Sequence, residues 1–127
     1  MFVMILTTIK YVFYYLGDYL AISSEIIVNA FIKTARSNMF DAFLVRRGDK
    51  KSGEIFLRLN NLSGYSKIYT YRKTNIKNFW EIYGSDLWQE DNIINKKIET
   101  IINIDSDIWI LELEDRNGCY LELQRGN

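Results

Sequence analysis

Val45-Arg46-Arg47-Gly48-Asp49-Lys50-Lys51-Ser52-Gly53-Glu54-Ile55 is the stretch on which the architecture turns. Apolar runs flank it, Phe40 to Val45 before and Ile55 to Leu59 after, each with the length and composition of a strand. Gly48 and Gly53 bracket the charged loop between them, and paired glycines of this kind punctuate strand connections. The stretch therefore predicts two strands, the loop folding the second back along the first. Within the second, Ile55, Leu57 and Leu59 share one face, while Arg58 and Asn60 share the other.

Downstream, Asn61-Leu62-Ser63-Gly64 is turn chemistry, and Tyr65 to Tyr71 reads as a third strand. A polar connection, Arg72 to Asn78, leads to a short aromatic run, Phe79 to Tyr83, closed by Gly84. Ile94, Ile98, Ile101 and Ile102 then fall at i, i+4, i+7 and i+8, the spacing of a helix that buries one face. Asp105-Ser106 ends that helix. Asp107 to Asp115 is the strongest strand signal in the chain, with Trp109, Leu111 and Leu113 on one side. Asn117-Gly118 is a two-residue hairpin signal, predicting a returning strand from Tyr120 to Leu123.

Upstream, Ser23 or Ser24 can cap a helix whose first turn carries Glu25. Ile27, Phe31 and Ala35 recur at helical spacing, Val28 and Ile32 widen the stripe, and Asn38 stops it. The sum is an α+β fold, a mainly antiparallel sheet of five to six strands with two main helices packed on one face. Residues 23–127 form a single domain by this reading, and residues 1–22 an apolar N-terminal extension. Lys10 splits that extension and Asp18 follows, so it does not supply the roughly 20 nearly uncharged residues of a membrane span. No basic residue precedes Ile9, which argues against a secretory signal. An additional amphipathic helix is the expectation.

Composition narrows the chemistry. A chain of 127 residues that is 48% hydrophobic and 25% charged has the balance of one globular domain. There is no proline and no histidine, and the lone Cys119 cannot form an internal disulfide, as expected of a protein of the reducing cytoplasm. The zero net charge hides an asymmetry. Residues 1–80 hold 12 Lys/Arg against 5 Asp/Glu (+7), and residues 81–127 hold 4 against 11 (−7).

Three groups of residues carry a resemblance. They are Ser24-Glu25-Ile26-Ile27-Val28, then Val45-Arg46-Arg47-Gly48-Asp49 with Gly53 downstream, and Asp107-Ile108-Trp109-Ile110-Leu111-Glu112-Leu113-Glu114-Asp115-Arg116-Asn117-Gly118. Over about Ser24 to Gly118 the chain resembles the alphaproteobacterial domain-of-unknown-function family 1491. The N-terminal extension and the asparagine- and lysine-rich middle depart from the family's pattern. The resemblance implies one soluble domain and no particular activity.

Function is approached by elimination. Without histidine, serine–histidine and cysteine–histidine catalysis and histidine-containing zinc sites have no material in this chain. Gly48 and Gly53 lie between strands and not before a helix, so they form no phosphate loop. No catalytic residue and no cofactor is expected. The leading expectation is a non-catalytic module that binds another protein, through Arg46, Arg47, Asp49 and Arg58 as candidates. An arginine fork suits a carboxylate or phosphate on such a partner. In the plainer reading Asp49 merely accepts backbone bonds in the turn and pairs with one arginine. A second expectation is single-stranded nucleic-acid binding, by Lys67, Tyr69, Tyr71, Arg72, Lys73, Lys77 and Trp80, since cations neutralise phosphates and rings stack on bases. Against it, tyrosines are common in strands and lysines guard sheet edges. A third is a metal-dependent enzyme using Asp105, Asp107, Glu112, Glu114 and Asp115, though Glu112 and Glu114 alternate with apolar residues as a solvent-facing strand side does.

Overall fold

A computed structural model describes residues 22–74 and 76–125. The extension assigned to residues 1–22 therefore lies outside the described residues, apart from Ile22. Helix α1 spans Ser24–Ser37, as the spacing predicts. The Ser23 hydroxyl accepts from the Ile26 N–H, and Glu25 and Arg36 place charges that suit the two ends of the helix dipole. At the far end the Asn38 N–H donates to Thr34 and Ala35, and Met39 turns the chain out at φ 69°.

Six strands follow: β1 (Asp41–Arg46), β2 (Ile55–Asn60), β3 (Tyr65–Lys73), β4 (Asn78–Ile82), β5 (Gln89–Glu90) and β6 (Trp109–Glu114). They make one sheet of order β1-β6-β2-β3-β4, with β5 pairing the start of β3. All pairs are antiparallel except β2 with β6, which run parallel with Leu57 opposite Leu111. The polar connection expected at Arg72 and Lys73 is thus the end of β3, and the aromatic run is β4.

The loop after β1 does not lay β2 along it, because β6 lies between the two. The Asp49 N–H donates to Asp107 O at 2.9 Å and the Trp109 N–H to Glu54 O at 2.8 Å, so the loop wraps the start of β6. That strand takes the interior slot because its residues are buried in succession. Ile108, Trp109, Ile110, Leu111 and Leu113 are all at most 2% exposed, which demands cover on both faces.

Helices accordingly lie on both faces, and not on one. Val28 and Ala35 of α1 pack with Ile55, Leu57, Leu59, Trp109, Leu111 and Leu113. On the opposite face, Ile94 and Ile101 of helix α2 (Asp91–Ile104) pack with Phe56, Ile68, Ile108 and Ile110. Ile55-Phe56-Leu57 is buried at consecutive positions, and that run is the signal that the strand is covered twice.

The hairpin expected after β6 is also corrected. The turn forms: Asp115 accepts from the Asn117 and Tyr120 N–H groups, and Gly118 takes φ 66°. The chain then leaves as a short helix, α3 (Tyr120–Arg125), with Tyr120 and Leu121 buried beside α1. A returning strand has nowhere to pair, because β1 and β2 already occupy both sides of β6. Among the described residues, no helix is long and apolar enough to cross a membrane.

Candidate functional site

The Arg46–Glu54 loop is a strap with its own chemistry. Asp49 accepts from the Lys51 N–H, the Ser52 N–H and the Ser52 hydroxyl at 2.9–3.2 Å. The Ser52 N–H above all holds its carboxyl below the ordinary aspartate value. Its own carbonyl accepts from Trp109 Nε1 at 2.7 Å and from the Gly53 N–H. The other side of the strap meets α1, where the Ser24 hydroxyl donates to Gly53 O at 2.6 Å. Asp49 is thus spent on the turn, as the plainer reading has it, but the arginine pairing goes elsewhere.

Arg47 lies 3.4 Å from Glu25, with its guanidinium 5.5 Å above the Trp109 ring, and is largely exposed. Arg46 turns the other way, donating from Nη2 to Ser106 O at 3.0 Å, while its buried Nε has no acceptor. Arg58 stands apart from both. It is half-buried between the sheet and α2, bonded to Asp91 at 3.0 Å, Ser66 at 3.2 Å, Asn95 at 2.5 Å and Glu112 at 3.5 Å. Its donors are engaged within the fold.

Glu112 shares that junction. Burial pushes its carboxyl above the ordinary glutamate value; Arg58 works against the shift, and Glu114 and Asp91 work with it. The folded chain therefore binds this proton at a higher pH than the unfolded chain. Acidification from neutrality toward the ordinary value of 4.5 should add stability through Glu112, and Glu112→Gln should lack that increment. Midpoints of urea unfolding at stepped pH measure the difference. Two parallel profiles would show that the carboxyl is not held high.

The basic and aromatic segment is divided by the fold. Tyr69 and Trp80 are 5% and 6% exposed and face α1, so they present no stacking surface for bases. Tyr71 is half-buried with them, its hydroxyl pushed up by burial, against a smaller opposing effect from Asn78. Arg72 is bonded to Glu81 at 2.8 Å, and Lys73 donates to Ile22 O. Lys67 lies 4.8 Å over the Trp88 ring at the other end of β3. Of the carboxylates, Glu112 belongs to the Arg58 junction, while Asp115 caps the turn after β6. Among the described residues no three such groups converge as metal ligands would.

What the sequence did not show is a groove of about 410 Å³ between α1 and the β3–β4 hairpin. Ile22, Ile26, Ala30 and Phe31 form one wall, with Phe79 and Trp80 opposite. The Trp80 ring is fixed by edge-on contacts with Phe31 and Tyr71, each at 5.1 Å. Ile26 and Ile22 are 61% and 56% exposed, so this wall is open to solvent. Among the described residues, Lys77 is the one charged side chain that lines it. Ile26, Ala30 and Thr34 recur every four residues beside the buried stripe of α1, and that second row was the available signal.

A family model described as "Protein of unknown function (DUF1491)" matches residues 22–121. Among solved structures, the chain is similar to a DUF1491 family protein from Caulobacter crescentus CB15. A crystal structure of such a protein is 25% identical with a TM-score of 0.65, over 76% of this chain and 91% of that one. An NMR structure from the same organism is 26% identical with a TM-score of 0.62, over 76% and 87%. A protein from A. tumefaciens, 23% identical over 72% of this chain and 84% of its own, shares the fold at a TM-score of 0.61. No curated protein matches the chain.

Proposed function

The chain belongs to the DUF1491 family, and from that premise we propose that it is a cytoplasmic, non-catalytic module which docks a segment of another protein in the groove between α1 and the β3–β4 hairpin. The observation that carries this reading is the open apolar wall of Ile22, Ile26 and Ala30 facing a fixed Trp80, with Lys77 at its border. An exposed apolar surface of this kind is costly to keep unless something covers it. A single cation with no acid among the lining residues selects the occupant: an apolar segment that carries a carboxylate, seated as a helix or extended chain. Lone Cys119 accords with a reducing compartment.

The test compares proteins recovered with the tagged full chain, with Ala30→Arg, and with Asn29→Arg. Asn29 is exposed on the same helix and does not line the groove. Partners should be retained by Asn29→Arg and lost with Ala30→Arg. A synthetic acidic, apolar segment from a retained partner should bind the full chain and bind Lys77→Glu about fivefold more weakly. Partner sets that do not differ between the two arginine variants would remove the groove from the interface.

A further inference from the structure

β1 has one strand neighbour, β6, and among the described residues no strand pairs with its other edge. That edge is apolar in the middle: Phe43, Leu44 and Val45 are 40%, 39% and 59% exposed. Edges of this kind recruit further strands unless something blunts them.

The register shows what this edge fits. Asp41 stands opposite Glu114, Phe43 opposite Glu112 and Arg46 opposite Ile110, three positions two residues apart on β6. They share one face of the sheet because the pairing shifts between Leu44 and Arg46, where a bulge takes up Val45. Without that extra residue, Asp41 and Arg46 would point to opposite faces. With it, one side of the edge reads acid, aromatic, base at even spacing, with Phe43 at the centre. Arg46 also keeps a donor in reserve, since Nε has no acceptor.

We propose that β1 is a self-complementary dimerisation edge, pairing antiparallel with β1 of a second copy about a two-fold axis at Phe43. The axis stands perpendicular to the sheet, so side chains on one face stay on that face. It sets Asp41 against Arg46 of the second copy at both ends and Phe43 against itself. A bulge and charges often keep an edge solitary, but like charges would do that, and these are opposite. The two sheets become one continuous sheet. This surface is separate from the α1 groove.

Sedimentation of the full chain across roughly 1 μM to 1 mM, the span of weak to moderate association, tests it. The wild type should dimerise, and Asp41→Arg and Arg46→Asp should each raise the dissociation constant at least about tenfold, a change worth 1.4 kcal/mol. Circular dichroism keeps misfolded variants out of the comparison. The double swap, Asp41→Arg with Arg46→Asp, should restore the dimer, and Ala30→Arg should leave it unchanged. A wild type that stays monomeric, a double swap no better than the single variants, or a dimer lost with Ala30→Arg would each overturn the assignment.

Discussion

Trp109→Ala is expected to cost the fold about 3–5 kcal/mol, the range for truncating a buried aromatic residue. Trp109 is 1% exposed at the start of β6, packed in the α1-side core. It is also a joint. Nε1 donates to Asp49 O at 2.7 Å, and Arg47 lies over the ring, so the same side chain fills the core and holds the strap. Trp109→Phe separates the two roles: it keeps much of the packing and leaves Asp49 O with one acceptor bond fewer, for about 1 kcal/mol. Urea unfolding should show a lower midpoint with unchanged slope for both variants. If the two losses were equal, the bond to Asp49 and not the packing would be what matters.

Gly48→Ala should cost about 3 kcal/mol, at the upper end for overpacking. A Cβ at Gly48 would stand 2.4 Å from Asp107 O and 2.5 Å from the Ile108 carbonyl carbon, both backbone atoms of the approach to β6. A flexible side chain could step aside; this backbone is fixed by the sheet. Gly53→Ala meets the same Asp107 O at 2.4 Å, from the other arm of the strap. Because both substitutions displace one carbonyl, their combined cost should fall short of the sum. A Gly48→Ala midpoint within about 0.5 kcal/mol of wild type, the range of an inert surface change, would show that the approach relaxes freely.

These two glycines explain how much was legible in the sequence. Gly48 and Gly53 marked a tight loop between strands, and the loop is there. What they could not reveal is that their small size serves a third segment, Asp107-Ile108, far along the chain. Local pattern found α1 almost to the residue, because Ser23 and Asn38 are chemical stops, and it found β6 from its alternating Trp109, Leu111 and Leu113. Pairing is not local, so the insertion of β6 between β1 and β2 was missed. The Asn117-Gly118 turn was recognised, but its outcome was decided by whether β6 had a free side. Site residues fared likewise: Asp49 was readable from turn chemistry, whereas Arg58 looked available until Asp91, Asn95 and Glu112 closed around it. Tyr69 and Trp80 looked like a stacking platform because a strand pattern shows alternation without saying which face is covered. The groove is drawn from α1 and the β3–β4 hairpin together, and no single window of sequence contains it.

The parallel contact of β6 with β2 also has a meaning for synthesis. As the chain emerges from the ribosome, β1 and β2 are complete long before the strand that belongs between them has been translated. Their facing edges must wait with apolar surface uncovered while β3, β4 and α2 are made, and only the last fifth of the polypeptide can fill the gap. Long-range pairings of this kind are slow to form and prone to mispairing in the interval. The order in which the strands are translated thus makes this fold a natural client for chaperones that shield nascent chains.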